Sequence, residues 1–206
     1  MLIEIDPSDP QSWLIGRAVD TLRKGGLVVV PTDTVYGLTC LISQQDAIRR
    51  IYEIKKMDPK KALSILVKDM ETVGRFARGV STPAYRLLKR VLPGPYTFIF
   101  SASGEVPKIM LRKRRTIGIR MPDHEVSRAI LSELEEPLLS TSIRNPHDDF
   151  VNDPGEIEEL FGERIDMVLD GGILLPTPST VVDLSGEEPV LVRSGKGDVD
   201  SLQLFA

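Results

Sequence analysis

Gly25-Gly26-Leu27-Val28-Val29-Val30-Pro31-Thr32-Asp33-Thr34-Val35-Tyr36-Gly37-Leu38 is the stretch that decides how this chain is read. Leu27 to Val30 is an unbroken apolar run rich in β-branched valine, the pattern of a strand buried in a sheet. It feeds directly into hydroxyls, one carboxylate and a phenol. Thr32, Asp33, Thr34 and Tyr36 can each hydrogen-bond a ligand through the side chain. Gly37 allows close backbone approach or a positive φ. Polar groups just beyond a buried strand are where open α/β sheets place ligands. The competing reading is a turn in which Thr and Asp bond their local backbone.

Outward from this block, helical and strand periodicities alternate. Asp9-Pro10 predicts a helix start by cap and N1 proline, with Leu14, Ala18 and Leu22 on its buried face. Leu38–Ile42 reads as a second strand. Ser43 and Asp46 read as a cap pair ahead of the stripe Ala47, Ile48, Ile51 and Ile54. Leu63–Val67, Tyr96–Phe100, Thr116–Arg120, Leu138-Leu139, Met167–Leu169, Thr180–Asp183 and Val190–Val192 read as further strands. Helices are expected after Thr82-Pro83, after Asp123 and after Asp153-Pro154, and Gly171–Pro178 is expected to be a loop. The alternation implies a mixed α/β sheet covered by helices. The 206 residues suit one domain spanning 1–206.

Composition narrows the function classes. Hydrophobic content of 41% and charged content of 27% are ordinary for a globular protein, and the apolar runs are too short to span a membrane. The N-terminus lacks a basic start followed by an apolar core, so no signal peptide is expected. Cys40 is the single cysteine, which excludes an internal disulfide and fits a reducing cytoplasm. The net charge is −4, but cations are clustered at Arg112-Lys113-Arg114-Arg115 and at Lys55-Lys56 with Lys60-Lys61. Focused basic patches on an acidic chain point to a local anion site, such as nucleotide phosphate or an RNA backbone.

Several chemistries find no support. No G-x-x-x-x-G-K-[ST] phosphate loop and no G-x-G-x-x-G after a strand are present. Two histidines and one cysteine do not make a usual zinc site, and no metal ligands are expected from the protein. G-x-S-x-G is absent, which disfavours a serine-hydrolase elbow. What remains is a set of polar residues recurring at strand ends: the Thr32–Tyr36 cluster, Lys55, Arg120, Ser140-Thr141-Ser142, Ser179-Thr180 and Arg193. Each has a bland alternative as a turn, a helix end or a surface cation. Their recurrence favours one shared cleft in which positioning and charge neutralisation do the chemistry.

In order along the chain, the opening block is joined by Lys55, Leu63-Ser64-Ile65-Leu66 and Leu92-Pro93-Gly94-Pro95-Tyr96-Thr97. Thr116-Ile117-Gly118-Ile119-Arg120-Met121-Pro122, Ser140-Thr141-Ser142, Asp170-Gly171-Gly172, Pro178-Ser179-Thr180-Val181-Val182-Asp183 and Val192-Arg193-Ser194-Gly195 follow. Together these resemble the YrdC-like family, the threonylcarbamoyl-AMP synthases. The resemblance implies a twisted open mixed sheet with flanking helices around a large, positively charged cavity. It implies an activity that joins L-threonine, bicarbonate or CO2, and ATP with Mg2+ into threonylcarbamoyl-AMP, releasing pyrophosphate. That product serves N6-threonylcarbamoyladenosine formation on tRNA, with other tRNA-modification enzymes as partners. By this resemblance Thr34, Tyr36, Thr116, Arg120 and Ser140 form the threonine site. Lys55, Lys61, Ser142, Thr180 and Arg193 form the ATP site, and Lys55 and Arg120 carry the catalytic charge.

Departures from the family pattern fall at the nucleotide end. Its Lys-x-Arg motif reads Lys55-Lys56-Met57 here, and a usual asparagine four residues later is Lys61. Its Ser-x-Asn motif reads Ser142-Ile143-Arg144, so the asparagine is either Arg144 or displaced to Asn145. This pattern, with Lys113-Arg114-Arg115-Thr116-Ile117-Gly118, resembles the YciO branch of the family. Losing one charge-assisted phosphate contact costs roughly 1.5–3 kcal/mol, which implies a synthase of reduced activity. Two alternatives stay open. One is a tRNA or double-stranded RNA-binding or RNA-modification accessory acting through Arg112, Lys113, Arg114 and Arg115. The other is a related hydrolase using the same cavity.

Overall fold

A computed structural model of the chain describes residues 1–55, 63–111 and 115–203. Among them the strands are β1 (Leu2–Glu4), β2 (Val28–Val30), β3 (Gly37–Leu41), β4 (Ser64–Leu66), β5 (Ala77–Arg78), β6 (Tyr96–Ala102), β7 (Thr116–Arg120), β8 (Leu138–Ser142), β9 (Met167–Asp170), β10 (Thr180–Asp183) and β11 (Val190–Arg193). The helices are α1 (Ser12–Arg23), α2 (Gln45–Ile54), α3 (Met70–Phe76), α4 (Thr82–Val91), α5 (Lys108–Leu111), α6 (Glu125–Ser132) and α7 (Pro154–Phe161). All described strands join one mixed sheet in the order β1-β9-β2-β3-β8-β4-β7-β6-β10-β11, with β5 paired to β6. No described helix is long and apolar enough to cross a membrane.

Strand register explains the layering. Cys40 faces Leu139, Leu139 faces Ile65, Ile65 faces Ile119, Ile119 faces Phe98, and Phe98 faces Val182. Every residue of this row is at most 1% exposed. It forms the sheet side of a core closed by Ile48 and Ile51 of α2, Val73 and Phe76 of α3, Leu88 of α4 and Ile157 of α7. Successive side chains in a strand point to opposite faces, so the neighbouring residues belong to the other face. There Leu41, Leu66 and Leu138 pack under α1 and α6, whose Leu14, Ala18, Leu22, Val126 and Ile130 form a second core. Farther along the same strands that face carries Ser140, Ser64 and Gly118, directly paired with one another. The two helices cover one end of this face, and small residues line the floor of what they leave open.

Three helix starts are built on side-chain caps. Asp69 accepts from Thr72 N at 2.7 Å, Ser81 from Ala84 N at 3.3 Å, and Asp153 from Gly155 N at 2.8 Å. The start expected at Asp153-Pro154 is therefore correct. Three expected caps are not. Helix α1 begins after Gln11 rather than at Asp9-Pro10, and the carboxylate that accepts from nearby backbone N–H groups is Asp6. Ser43 is taken by Glu136, which accepts from its N–H and hydroxyl at 2.9 and 2.7 Å, so α2 starts after Gln44 without a side-chain cap. His124, not Asp123, is the residue before α6, while Asp123 engages Arg128. In the last two cases a partner distant in sequence, or one turn along the helix, outcompetes the local cap.

The alternation makes a direct expectation for stability. Ile65→Ala should cost about 2–5 kcal/mol, as expected for truncating a fully buried core side chain. Ser64→Ala, one residue away and losing a 3.0 Å bond to the Ser140 carbonyl, should cost about 1 kcal/mol. Urea unfolding of both variants measures the difference, and equal losses would contradict the assignment of faces.

Candidate functional site

The uncovered part of the sheet face is a cavity of about 510 Å³, a size suited to a small-molecule ligand. Its floor is the Ser140, Ser64 and Gly118 row together with Thr97 and Ile99 of β6. Two glycines keep it open. A Cβ on Gly118 would stand 3.2 Å from the Ser64 Cβ and 3.3 Å from the Thr97 Cγ2, and one on Gly37 would stand 2.7 Å from the Ser140 Oγ. Lys55, Arg120, Arg144 and Arg193 line the cavity, and no carboxylate does among the described residues. The cavity thus lies on a sheet face and not beyond the strand ends, where the opening block had suggested it.

One end is built by the Thr32–Tyr36 segment. Arg120, at the end of β7, is buried with its Nη2 donating to the Asp33 carboxylate, and the same nitrogen is 3.2 Å from the Thr32 hydroxyl. Thr32 and Thr34 hydroxyls are 3.2 Å apart, and Thr32 also donates to the Val35 carbonyl at 2.7 Å. Burial draws the Arg120 pKa below the ordinary arginine value, and the Asp33 charge opposes that shift. Lys196 donates to the Asp33 carbonyl at 2.6 Å and pins the turn from outside. Arg120 Nε and Asp33 Oδ2 are buried without a hydrogen-bond partner, so the pair retains unused donor and acceptor capacity. Tyr36 is clamped: its hydroxyl donates to the Gly172 carbonyl at 2.7 Å and accepts from Gly171 N at 3.0 Å. Burial raises its pKa, so it remains a phenol.

The other end is cationic. Lys55, the C-cap of α2, donates to the Thr141 hydroxyl at 3.0 Å and to the Ser142 carbonyl. Arg144 follows β8 and lies over the Phe150 ring, 3.9 Å from its centroid. Arg193, at the end of β11, is held through Nε and Nη2 by the Ser179 carbonyl at 3.1 and 2.8 Å. Ser179 is in turn bonded to Thr97, hydroxyl to hydroxyl, at 2.7 Å. Burial lowers the Arg193 pKa first, and the charges of Arg144 and Arg120 lower it further. The Arg193 anchors are carbonyl and hydroxyl oxygens, which fix position without cancelling charge, while Arg144 pairs with the exposed Asp148 carboxylate at 3.1 Å. Such an arrangement suits an anion.

Thr34, Tyr36, Lys55, Arg120, Ser140, Ser142 and Arg193 are brought together at this cavity. Thr180 is not: it is fully buried on the other side of β10, its hydroxyl donating to the Gly197 carbonyl at 2.6 Å and accepting from Gly195 N at 3.0 Å. Its neighbour Ser179 lines the cavity instead. Thr116 is not either. It shares a strand face with Arg120 but lies four residues away, roughly 13 Å at about 3.3 Å per residue, outside the lining of the cavity. Lys61, Met57, Arg112, Lys113 and Arg114 lie outside the described residues, and Arg115 is exposed beside β7. Of the two positions offered for the altered Ser-x-Asn motif, Arg144 lines the cavity, whereas Asn145 Oδ1 accepts from His147 N and Asp149 N within its loop. Ser64, Thr97 and Phe150 were not singled out from the sequence as site residues, whereas Ser179 was grouped with Thr180 among the strand-end residues of the expected cleft. Strand parity from Arg120 points to Gly118, but the positions of its cross-strand neighbours need the register.

Comparisons with known proteins agree on one family. The Sua5/YciO/YrdC family model, described as Telomere recombination, matches residues 20–195. "Uncharacterized protein YciO" of Escherichia coli (strain K12) is 40% identical over 197 residues, covering 95% of each chain. The crystal structure of E. coli YciO superposes with a TM-score of 0.92 at 38% identity over 98% of both chains. The structure of Pyrococcus abyssi Sua5 complexed with L-threonine gives a TM-score of 0.89 at 31% identity, over 95% of this chain and 57% of that one. The threonylcarbamoyl-AMP synthase of P. abyssi is 32% identical over 90% of this chain, which spans 55% of that protein.

The buried pair at the hydroxyl end has a measurable signature. Asp33→Ala leaves the Arg120 charge buried and should cost about 3–5 kcal/mol. The double variant Asp33→Leu/Arg120→Met removes both charges and should recover most of that loss. Chemical denaturation of the set checks this, and a double variant as unstable as the sum of its parts would refute the coupling.

Proposed function

The chain belongs to the Sua5/YciO/YrdC family, and from that premise we propose that its cavity binds L-threonine and ATP and acts as a threonylcarbamoyl-AMP synthase. The observation that carries this reading is the pairing of a hydroxyl-rich end around Thr32, Thr34 and Arg120 with a cationic end at Lys55, Arg144 and Arg193. Relatives named threonylcarbamoyl-AMP synthase and a threonine-bound Sua5 structure support it, because this chain shares their fold.

In this reading threonine lies at the Thr34 end, its hydroxyl and ammonium meeting the threonine hydroxyls and its carboxylate drawn toward Arg120. The ammonium gives a proton to solvent, and the resulting amine attacks the carbon of bicarbonate, forming the C–N bond of a carbamate as water leaves. A carbamate oxygen attacks the α-phosphorus of ATP, the bond from that phosphorus to the bridging oxygen breaks, and pyrophosphate leaves with the electron pair. No protein nucleophile is required. Lys55 and Arg193 neutralise the charge that develops on the phosphates, and that preorganised electrostatic term is what the site contributes. Mg2+ enters as part of the ATP substrate, held by phosphate and water oxygens, since no carboxylate lines the cavity among the described residues. The adenylate then serves tRNA modification.

Purified protein incubated with ATP, L-threonine and bicarbonate should yield threonylcarbamoyl-AMP and pyrophosphate by mass spectrometry and phosphate release, with each substrate required. Arg193→Ala should lower the rate by about tenfold or more, the loss of one charge-assisted contact. Absence of product above a no-enzyme blank, beside an active synthase control, would refute the reading.

A further inference from the structure

Arg144 is held in a more defined pose than a rim cation needs. The chain leaves β8, turns, and returns so that Phe150 pairs with Arg144 through an isolated antiparallel bridge. Asn145 ties the turn by accepting from His147 N at 2.9 Å and Asp149 N at 3.0 Å, and Asp148 takes a left-handed φ of 68°. This fold fixes one flat side of the guanidinium on the Phe150 ring. It also fixes one nitrogen: Nη1 donates to the Asp148 carbonyl and stands 3.1 Å from the Asp148 carboxylate. The Nε and Nη2 edge makes no hydrogen bond among the described residues. That edge is the planar fork that matches two oxygens of a phosphate or carboxylate. Arg193 is the complement. Its Nε and Nη2 are spent on Ser179, which leaves Nη1.

Two guanidiniums are fixed at one cavity whose described lining holds no carboxylate, and the Arg144 charge disfavours that of Arg193 although Arg144 pairs with the exposed, screened Asp148. Each also keeps unused donors, enough together for the three oxygens of a terminal phosphoryl group. A monoanionic carboxylate would leave part of this set unmet. We propose that Arg144 and Arg193 form a two-guanidinium clamp for the terminal phosphate of the cavity's ligand, and that Arg144 sets a preference for di- and triphosphates over monophosphates. The proposal rests on the reading that a nucleotide enters this cavity.

Isothermal titration calorimetry of the purified chain tests it with ATP, ADP, AMP and inorganic triphosphate as probes. Wild-type protein should bind ATP about tenfold or more tightly than AMP. Arg144→Gln should weaken ATP by about ten- to a hundredfold, as expected for one charge-assisted contact, while AMP changes by less than about twofold. Arg144→Lys keeps the charge without the fork and should restore only part of the loss, and Phe150→Leu should fall between wild type and Arg144→Gln. Unchanged ATP affinity in Arg144→Gln, or equal loss for ATP and AMP, overturns the clamp. Arg144-dependent binding of inorganic triphosphate without any binding of ATP keeps the clamp and removes the nucleotide reading. Binding of neither probe by wild-type protein removes both.

Discussion

Side-chain alternation across five adjacent strands is the constraint on which the rest of the molecule depends. In β8, β4, β7, β6 and β10 one set of residues, Leu139, Ile65, Ile119, Phe98 and Val182, forms an apolar row in the core closed by α2, α3, α4 and α7. The alternate set includes Ser140, Ser64 and Gly118, which are small and partly polar. A slip of one residue in any pairing would exchange the sets, placing isoleucine and phenylalanine in the cavity and serine in the core. The energy that specifies the core therefore also specifies the cavity. The floor is concave because two glycines and two serines occupy positions where larger residues would fill it.

On this platform the two ends of the cavity solve different electrostatic problems. Arg120 is buried and neutralised by Asp33, at the cost of desolvating both, and the pair orients the Thr32 and Thr34 hydroxyls. Buried pairs of this kind contribute geometry more than stability. Arg193 is anchored by the carbonyl and hydroxyl oxygens of Ser179, so much of its charge remains available to a ligand. Arg144 is intermediate, because its Asp148 partner is solvent-exposed and screened. A neutral or zwitterionic group suits the first end, and a polyanion suits the second.

Much of this was legible in the chain because it depends on local pattern. The Leu27–Val30 run, the Thr116–Arg120 strand and the capped start at Asp153 follow from residues adjacent in sequence. Thr180 shows where that reading stops. Thr180-Val181-Val182-Asp183 has apolar residues at both parities, so only the pairing with β6 reveals that Thr180 faces the core and Ser179 the cavity. Thr116 was grouped with Arg120 by resemblance, and the rise along β7 separates them. Ser43 was read as a cap because Glu136, which captures it, comes from a distant part of the chain. The Arg144 pose was equally hidden, since it needs the return of Phe150 across the turn.

The account's central claim is that one cavity holds a small hydroxylated amino acid at the Thr34 end and nucleotide phosphates at the Lys55, Arg144 and Arg193 end. A crystal structure of the protein soaked with ATP and L-threonine tests it most directly. The expected density places threonine against Thr32, Thr34 and Arg120 over the serine floor, with phosphate oxygens within hydrogen-bond distance of Arg144 and Arg193. Nucleotide bound elsewhere on the molecule, or an empty cavity at saturating concentrations of both ligands, would contradict it.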